Sequence, residues 1–402
     1  MFSNTRRPRT MITTAVALSA TALVAAALAT APAGLAAPSL ATTPADSVST
    51  SATHAALAPA AAASSTSVST RWSWANGTKI TARKVSAAAL PASGYYLKVL
   101  HNQGENTIVS AVLPNGNGLG LDVRGRLWEF TKTGPKSYTK GTQPYGLMWV
   151  QAVGTAAYAV NNGGTLYRLD GPHAAAKRLT TLPEWGGSGP VISGGRIYWT
   201  QYRALDGGKQ IQSTVVSRSL AGGSIRTEAV GARNPQATDA GVLAVAVLPK
   251  TGSEDYAAQS ELSGIVKLSG GKAVPFLKFN GVALPSQIGD GTWWFNADGH
   301  TLTLPTAGTN GQLVINLRTK KAWNVPSARG TVPSWSGVSG SLAVWRDSRV
   351  SGAPVSNKVY VFDVDRGTLR TIAAKMDTPT PVANGRALGW TYSRSGGVTE
   401  YQ

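Results

Sequence analysis

No cysteine occurs in the 402 residues. That excludes disulfides, thiol nucleophiles, thiolate metal ligands and a lipid-modified amino-terminal cysteine, and it leaves stability to the core. Histidine is nearly as scarce, with four copies: His54, His101, His173 and His300. Acids are few, 19 against 38 Lys and Arg, for a net charge of +19. No Gly-x-Ser-x-Gly, His-Glu-x-x-His or phosphate-loop pattern appears, so no catalytic motif announces a reaction class. Sustained helical periodicity is missing from residues 71–402.

The first 36 residues read as a secretory signal peptide. Arg6, Arg7 and Arg9 precede an uncharged run, Met11–Thr30, and small residues offer cleavage after Ala33 or Ala36. A retained anchor is the alternative, since about 20 apolar residues span a bilayer. The Ser and Thr within the run favour cleavage. Pro8, Arg9 and Thr10 after the Arg pair argue against twin-arginine export and for the general route. Residues 37–70 are Ala, Ser, Thr and Pro with almost nothing large to bury, and are expected to be a disordered spacer. Residues 71–402 are long enough to bury about three quarters of their unfolded surface. Without the leader the balance is 35 Lys and Arg against 19 acids, or +16. Such an excess suits polyanionic neighbours as well as solubility.

What is abundant is a repeated phrase. PSWSGVSGSLAVW (333–345) has a proline, a glycine-bearing turn and an alternating apolar strand. PVISGGRIYW (190–199), PQATDAGVLAVAV (235–247), PSQIGDGTWWF (285–295) and PTPVANGRALGW (379–390) repeat it, and GTAAYAV (154–160) keeps its second half. Marker glycines 154, 195, 241, 291, 340 and 385 are spaced 41, 46, 50, 49 and 45 apart. A second phrase follows each first one: TLYRLDG, STVVSRSLAGG, SGIVKLSGG, QLVINLRTKK and KVYVFDVDRG. Each is a period-two strand closing on a tight turn that feeds one more strand. Four strands in about 45 residues is the size of one propeller blade. The expected fold is therefore an all-β propeller of four-stranded antiparallel blades. Seven units are counted, with six as the alternative because Asn106–Gln143 is the weakest copy. The last unit lacks a fourth strand, and KITARKVS (79–86) is the amino-terminal strand expected to complete it and close the ring.

PSWSGVSGSLAVW resembles the TolB-type β-propeller repeat, and KVYVFDVDRGTLRTI (358–372) is similar to the third and fourth strands of that repeat. The usual Pro-Asp of the turn is replaced here by Gly337-Val338-Ser339. The resemblance implies an architecture and a binding or scaffolding role, and leaves any activity open.

Strand parity puts the connections between strands two and three, and between blades, on one face. That face is expected to gather Glu184, Trp185, Tyr202, Arg203, Asp206, Glu254, Asp255, Tyr256, Asp298, His300, Arg346, Asp347, Arg349 and Arg394. Each has a bland reading beside the functional one. Asp298-Gly299-His300 is first a turn, and second an acid–base or metal group with Asp290. Glu254-Asp255 lacks the oxygen ladder of a calcium loop. Arg346, Asp347 and Arg349 either pair with one another or grip an anion. Asp363–Gly367 reads as a hairpin. Trp185 stands alone among the tryptophans as a loop residue where a sugar or partner side chain could stack.

The expectation is a secreted, monomeric binding or scaffolding propeller, in the envelope or cell wall, that recognises a protein or an anionic envelope polymer. No catalytic residue, metal or cofactor is assigned, specific nucleic-acid binding is not expected, and no span remains after signal cleavage. The alternatives are a carbohydrate-active hydrolase or lyase using loop carboxylates, and a TolB-like envelope assembly partner.

Overall fold

Every element among the described residues is a β-strand. The computed structural model describes residues 66–85, 88–90, 96–101 and most of 107–400; the stretches 206–209, 250–259, 281–294, 306–310, 327–330, 350–353, 374–377, 382–386 and 393–394 are the main ones outside that set. No helix among the described residues is long and apolar enough to cross a membrane. The expected leader and most of the spacer lie outside the described residues.

Four strands precede the blades: β1 (Ser67–Trp74), β2 (Lys79–Lys84), β3 (Ala88–Leu90) and β4 (Tyr96–His101). Blade 1 is β5 (Thr107–Val112), β6 (Gly118–Asp122), β7 (Leu127–Thr131) and β8 (Gly134–Ser137). Blade 2 is β9 (Leu147–Val153), β10 (Ala156–Asn161), β11 (Thr165–Leu169) and β12 (Lys177–Thr181). Blade 3 is β13 (Val191–Ser193), β14 (Arg196–Leu205), β15 (Gln210–Ser219) and β16 (Arg226–Val230). Blade 4 is β17 (Ala232–Thr238), β18 (Gly241–Pro249), β19 (Ser260–Ser269) and β20 (Lys272–Phe279). Blade 5 is β21 (Asn296–Asp298), β22 (Thr301–Pro305), β23 (Gly311–Asn316) and β24 (Ala322–Pro326). Blade 6 is β25 (Thr331–Ser339), β26 (Leu342–Arg349), β27 (Pro354–Asp363) and β28 (Thr368–Ala373). Blade 7 joins β29 (Thr378–Pro381), β30 (Ala387–Tyr392) and β31 (Ser395–Glu400) to β4. Within each blade neighbouring strands pair antiparallel, and the first strands touch in order around a ring in which β29 returns to β5. Seven four-stranded blades therefore form a closed propeller.

The middle strands carry the apolar residues because both their faces are covered by adjacent blades. All six residues of β23 are buried, as are Ala156–Val160 of β10. Five core clusters fill the wedges between consecutive blades from 1–2 through 5–6. Trp199 and Trp345 are essentially inaccessible there. Each fully buried large side chain contributes about 1.5–3 kcal/mol.

An amino-terminal strand does close the ring, but it is β4, paired antiparallel with β31, rather than KITARKVS. KITARK is β2. It forms a hairpin with β1 that lies between β20 and β24, joining the outer edges of blades 4 and 5 into one ten-stranded sheet. β3 then adds in parallel to β28, so β1 to β4 cover or complete the rims of blades 4 to 7. β1 begins at Ser67, within the stretch 37–70 expected to be spacer. A wedge between two radiating sheets widens outward, and the hairpin fills it. Trp72, Ile80 and Ala82 are buried among Leu243, Ile265, Leu302 and Leu313. The Trp72 ring lies 5.0 Å from that of Phe279, and Trp74 meets Phe276 edge-on at 5.8 Å.

Blade 5 also departs from the expected register. Its first hairpin turns at Gly299, not Gly291, which falls outside the described residues. NADGHTLTLP is therefore strands one and two, not the connection between strands two and three. The glycine spacing becomes 58 and then 41 on either side of Gly299.

Two predictions follow from this packing. Trp72→Ala should lower stability by about 3–5 kcal/mol, the usual cost of emptying a large aromatic site. Chemical denaturation would check it, and a loss below about 1 kcal/mol would mean the hairpin is dispensable. Gly125 has φ +67°, and a Cβ there would lie 2.4 Å from the backbone nitrogen of Leu147, which donates to the Gly125 carbonyl at 3.0 Å. Gly125→Ala should therefore cost at least about 2 kcal/mol, whereas Gly154→Ala, with φ +60° and open space, should cost only the left-handed penalty of about 1–2 kcal/mol.

Candidate functional site

The face that collects the connections between strands two and three is uneven. In blades 1 and 2 they are tight turns that satisfy themselves. Asp122 is buried and accepts the amides of Arg124 and Arg126, the Arg126 Nε at 2.6 Å and the Trp128 indole N–H at 2.9 Å. Asn161 caps its turn by accepting the Thr165 amide at 2.8 Å. In blade 3, by contrast, β14 and β15 pair out to Leu205 and Gln210, while β13 reaches only Tyr198 and β16 only Thr214. The outer halves of β14 and β15 thus form a two-stranded ribbon beyond the blade. β18 and β19 extend similarly, to Pro249 and Ser260.

Tyr202 and Arg203 lie on the blade 3 ribbon, the first half-buried and the second exposed. They are on strand, not loop, because the ribbon takes residues that looked like a polar connection. Arg346, Asp347 and Arg349 are likewise on β26, with Arg346 half-buried. Glu184 is exposed in a left-handed conformation (φ 53°) at the turn leading into blade 3. Trp185 makes an isolated bridge with Gln201 and packs against the cluster of Leu182, Ile197 and Trp199. It is a half-buried wall, not a free stacking platform. Asp206, Glu254, Asp255, Tyr256 and Arg394 lie outside the described residues.

Asp298 and His300 belong to the opposite face. The β21–β22 turn puts them beside the short turns of blades 4 and 6. The Gly340 amide donates to Asp298 at 2.9 Å, and His300 Nε2 lies 2.7 Å from Asp365 Oδ1 with its ring buried. Arg318 Nε donates to Asp239 at 2.7 Å, and the Asp239 amide donates to the Gly299 carbonyl at 2.7 Å. These contacts lace turn to turn between neighbouring blades. The turn reading of Asp298-Gly299-His300 holds, and Asp363–Gly367 is the hairpin expected. Among the described residues no group of three or more His, Asp or Glu is placed to hold a metal ion.

Sequence reasoning missed two residues near the ribbon. Arg233 is buried at the start of β17, and burial pushes its guanidinium down to about 10, with Tyr202 acting in the other direction. Asn234 (φ 52°) accepts a Gln236 amide hydrogen at 3.0 Å and donates to the Phe295 carbonyl at 3.1 Å, tying blade 4 to the entry of blade 5. The Asn-Pro pair at 234–235 was the available signal, since such pairs favour turn conformations.

Two carboxylates, the buried Glu228 and the half-buried Asp298, shift in opposite directions. Burial would raise Glu228, but hydrogen bonds from Ser217, Arg226 and the Gly271 amide, with the Arg226 charge, hold it below the usual value. Burial raises Asp298, and the Asp239 charge adds to it, against hydrogen bonds from Gly340, Ser339 and Gly299. A lowered folded pKa gives stability that is present above the unfolded value and lost as pH falls through the folded one. A raised one does the reverse, losing stability as pH rises from the unfolded to the folded value. Glu228→Gln should therefore reduce stability at pH 7 and flatten its acid loss. Asp298→Asn, which keeps an acceptor for Gly340, should hold or raise stability at pH 7. Melting curves from pH 3 to 8 would check both; matching losses at pH 7 would overturn the assignment.

No protein-family profile matches this sequence, and no curated protein matches it. Solved propellers resemble the fold distantly. YCF48 bound to D1 peptide is 10% identical, over 79% of this chain and 98% of that one, with a TM-score of 0.47. The β-propeller domain of Swd1 from Myceliophteria thermophila is 10% identical, over 77% and 100%, with 0.46. BamB from Moraxella catarrhalis is 12% identical, over 79% and 97%, with 0.36.

Proposed function

We propose that this chain is an exported binding propeller that recognises a protein partner on the ribbon face of blades 3 and 4. The carrying observation is the β14–β15 ribbon. Beyond Tyr198 and Thr214 its outer edges have no strand partner among the described residues, apart from the Trp185–Gln201 bridge and the Gly231 amide, which donates to the Ser213 carbonyl at 2.8 Å. An exposed strand edge offers backbone donors and acceptors to an incoming extended peptide, and alternate side chains set its specificity. Tyr202 and Arg203 supply the aromatic and guanidinium groups that dominate protein interfaces. An anionic polymer has no use for a row of paired-capable amides and carbonyls, so the protein reading is favoured on this face. Export rests on the charged start, the apolar run and the small-residue exits, and a TolB-like role in envelope assembly would be one instance of this function.

Tyr202→Ala and Arg203→Ala should each weaken a partner recovered from envelope extract by roughly 1–3 kcal/mol, and Arg203→Ala, which truncates an exposed side chain, should leave the melting temperature unchanged. Trp185→Ala should lower stability as well, because the ring packs on the core. Unchanged affinity in both ribbon variants would move the site elsewhere. Export is checked by sequencing the mature amino terminus, expected at Gly34 or Ala37 within a residue or two; a chain still carrying Met11–Thr30 would be membrane-anchored.

A further inference from the structure

The hairpin that closes the wedge between blades 4 and 5 has one face in the core and one face outward. Its outward face has an unusual composition. Residues 67–84, 272–279 and 316–326, which make β1, β2, β20, β24 and their turns, contain no Asp or Glu. They carry Arg71, Lys79, Arg83, Lys84, Lys278 and Lys320 among their cations, and all six are exposed. Strand register fixes how these are arrayed. Ser73 pairs with Lys278 on one side and Lys79 on the other, and directly paired residues share a face. Along β2, Ile80 and Ala82 point into the core, so Lys79, Thr81 and Arg83 point out. Lys79 and Arg83 are then about 13 Å apart along the strand, and Lys278 and Lys79 about 10 Å apart across it. The hydroxyls of Ser67, Ser69 and Thr81 lie between them in register.

A second observation concerns the adjoining turn. The blade 5 turn Asn316–Lys321 has the same build as the blade 6 turn Asp363–Thr368. Asn316 Oδ1 accepts the amides two and three residues on, as Asp363 Oδ1 does. The left-handed position is Gly367 in blade 6, φ +66°, but Lys320 in blade 5, φ +57°. A lysine there costs roughly 1–2 kcal/mol that glycine would avoid. Lys320 Nζ lies 5.6 Å from the Trp74 ring centroid, which fixes it at the hairpin's edge.

We propose that this outer rim of blades 4 and 5 binds a linear anionic glycopolymer of the envelope, separately from the ribbon face. The rim does not depend on the protein reading of that face. A surface of cations about 10–13 Å apart, on strands that themselves carry no carboxylate, matches an extended chain with repeated charges better than a compact anion. The hydroxyls between the cations suit the polar backbone of such a polymer. Repeated charges come from either phosphodiesters or uronic-acid carboxylates.

The test uses the mature chain with three probes: long-chain polyphosphate, polygalacturonate and a single-stranded oligonucleotide. Arg71→Gln/Lys79→Gln/Arg83→Gln removes three charges from the rim. Lys136→Gln/Lys177→Gln/Arg178→Gln removes three exposed charges from the outer strands of blades 1 and 2. Binding of the preferred acid polymer should weaken at least about tenfold in the first variant and less than about threefold in the second, and should fall with salt. Preference for polyphosphate would assign phosphate-type charge, and for polygalacturonate carboxylate-type. Equal losses in the two variants would show that net charge alone acts and would overturn the site, as would absence of binding by the parent at 0.15 M salt. Tighter binding of the oligonucleotide than of either acid polymer would overturn the glycopolymer assignment. Partner binding through Tyr202 and Arg203 should be unchanged in both triple variants, so this test and that of the ribbon face fail independently.

Discussion

The constraint on which the rest depends is that middle strands of the blades, such as β10, β18 and β23, are apolar and buried on both faces. A sheet with two greasy faces is insoluble alone, and radiating sheets satisfy it only if each has a neighbour on either side. The ring must therefore close, and β4 pairing with β31 does so with the two ends of one chain. Closure by the sequence-remote ends makes the circle a single cooperative object, since opening blade 7 would expose β5 as well as β29.

A radial arrangement leaves a cost at the rim, where the sheets splay apart. The amino-terminal hairpin addresses this between blades 4 and 5 by inserting two strands whose inner face is Trp72, Ile80 and Ala82. The result is that the largest core cluster is built from three separate stretches of sequence. Between blades 1 and 2 the wedge is also spanned by a backbone contact, in which Leu147 donates to Gly125. That stitch needs glycine at Gly125, where a side chain would meet the backbone of Leu147 in the next blade.

Much of the fold was legible because its signal is local. The third and fourth strands, such as QLVINL with KAWNVP and KVYVFD with TLRTIA, sit where period-two alternation and a tight turn place them. The count of seven was legible for the same reason. Which amino-terminal strand closes the ring was not, because KITARK and YLKVLH both alternate and only tertiary packing decides between an outer rim and a blade. Blade 5 misled because GDGTWWF imitates the repeated phrase; the real turn at Gly299 is a weaker copy of it. Of the candidate residues, Tyr202 and Arg203 lie on the expected face, but on a strand where a loop was expected. Trp185 was read as free because a loop position says nothing about which cluster lies beneath it. Asp298 and His300 went to the wrong face as a direct consequence of the blade 5 register, since moving a hairpin by one turn exchanges the two ends of the blade.

The same burial constraint explains where charge can go. Middle strands closed on both faces have little room for Lys or Arg, so an excess of cations is driven to the turns, the ribbons and the rim. Placement there is thus a property of the fold and carries no functional meaning by itself. The outer strands of blades 1 to 3 show what that ordinary placement looks like, with one or two cations each and Glu228 turned inward to meet Arg226. The hairpin sheet departs from it in two ways that the fold does not require. Its four rim strands, β1, β2, β20 and β24, carry no acid, although solubility would be served equally well by mixed charges. And it accepts a strained Lys320 where the sister turn in blade 6 uses glycine. A segment that could have been a neutral plug for the wedge instead presents Arg71, Lys79, Arg83 and Lys84 at exposed positions.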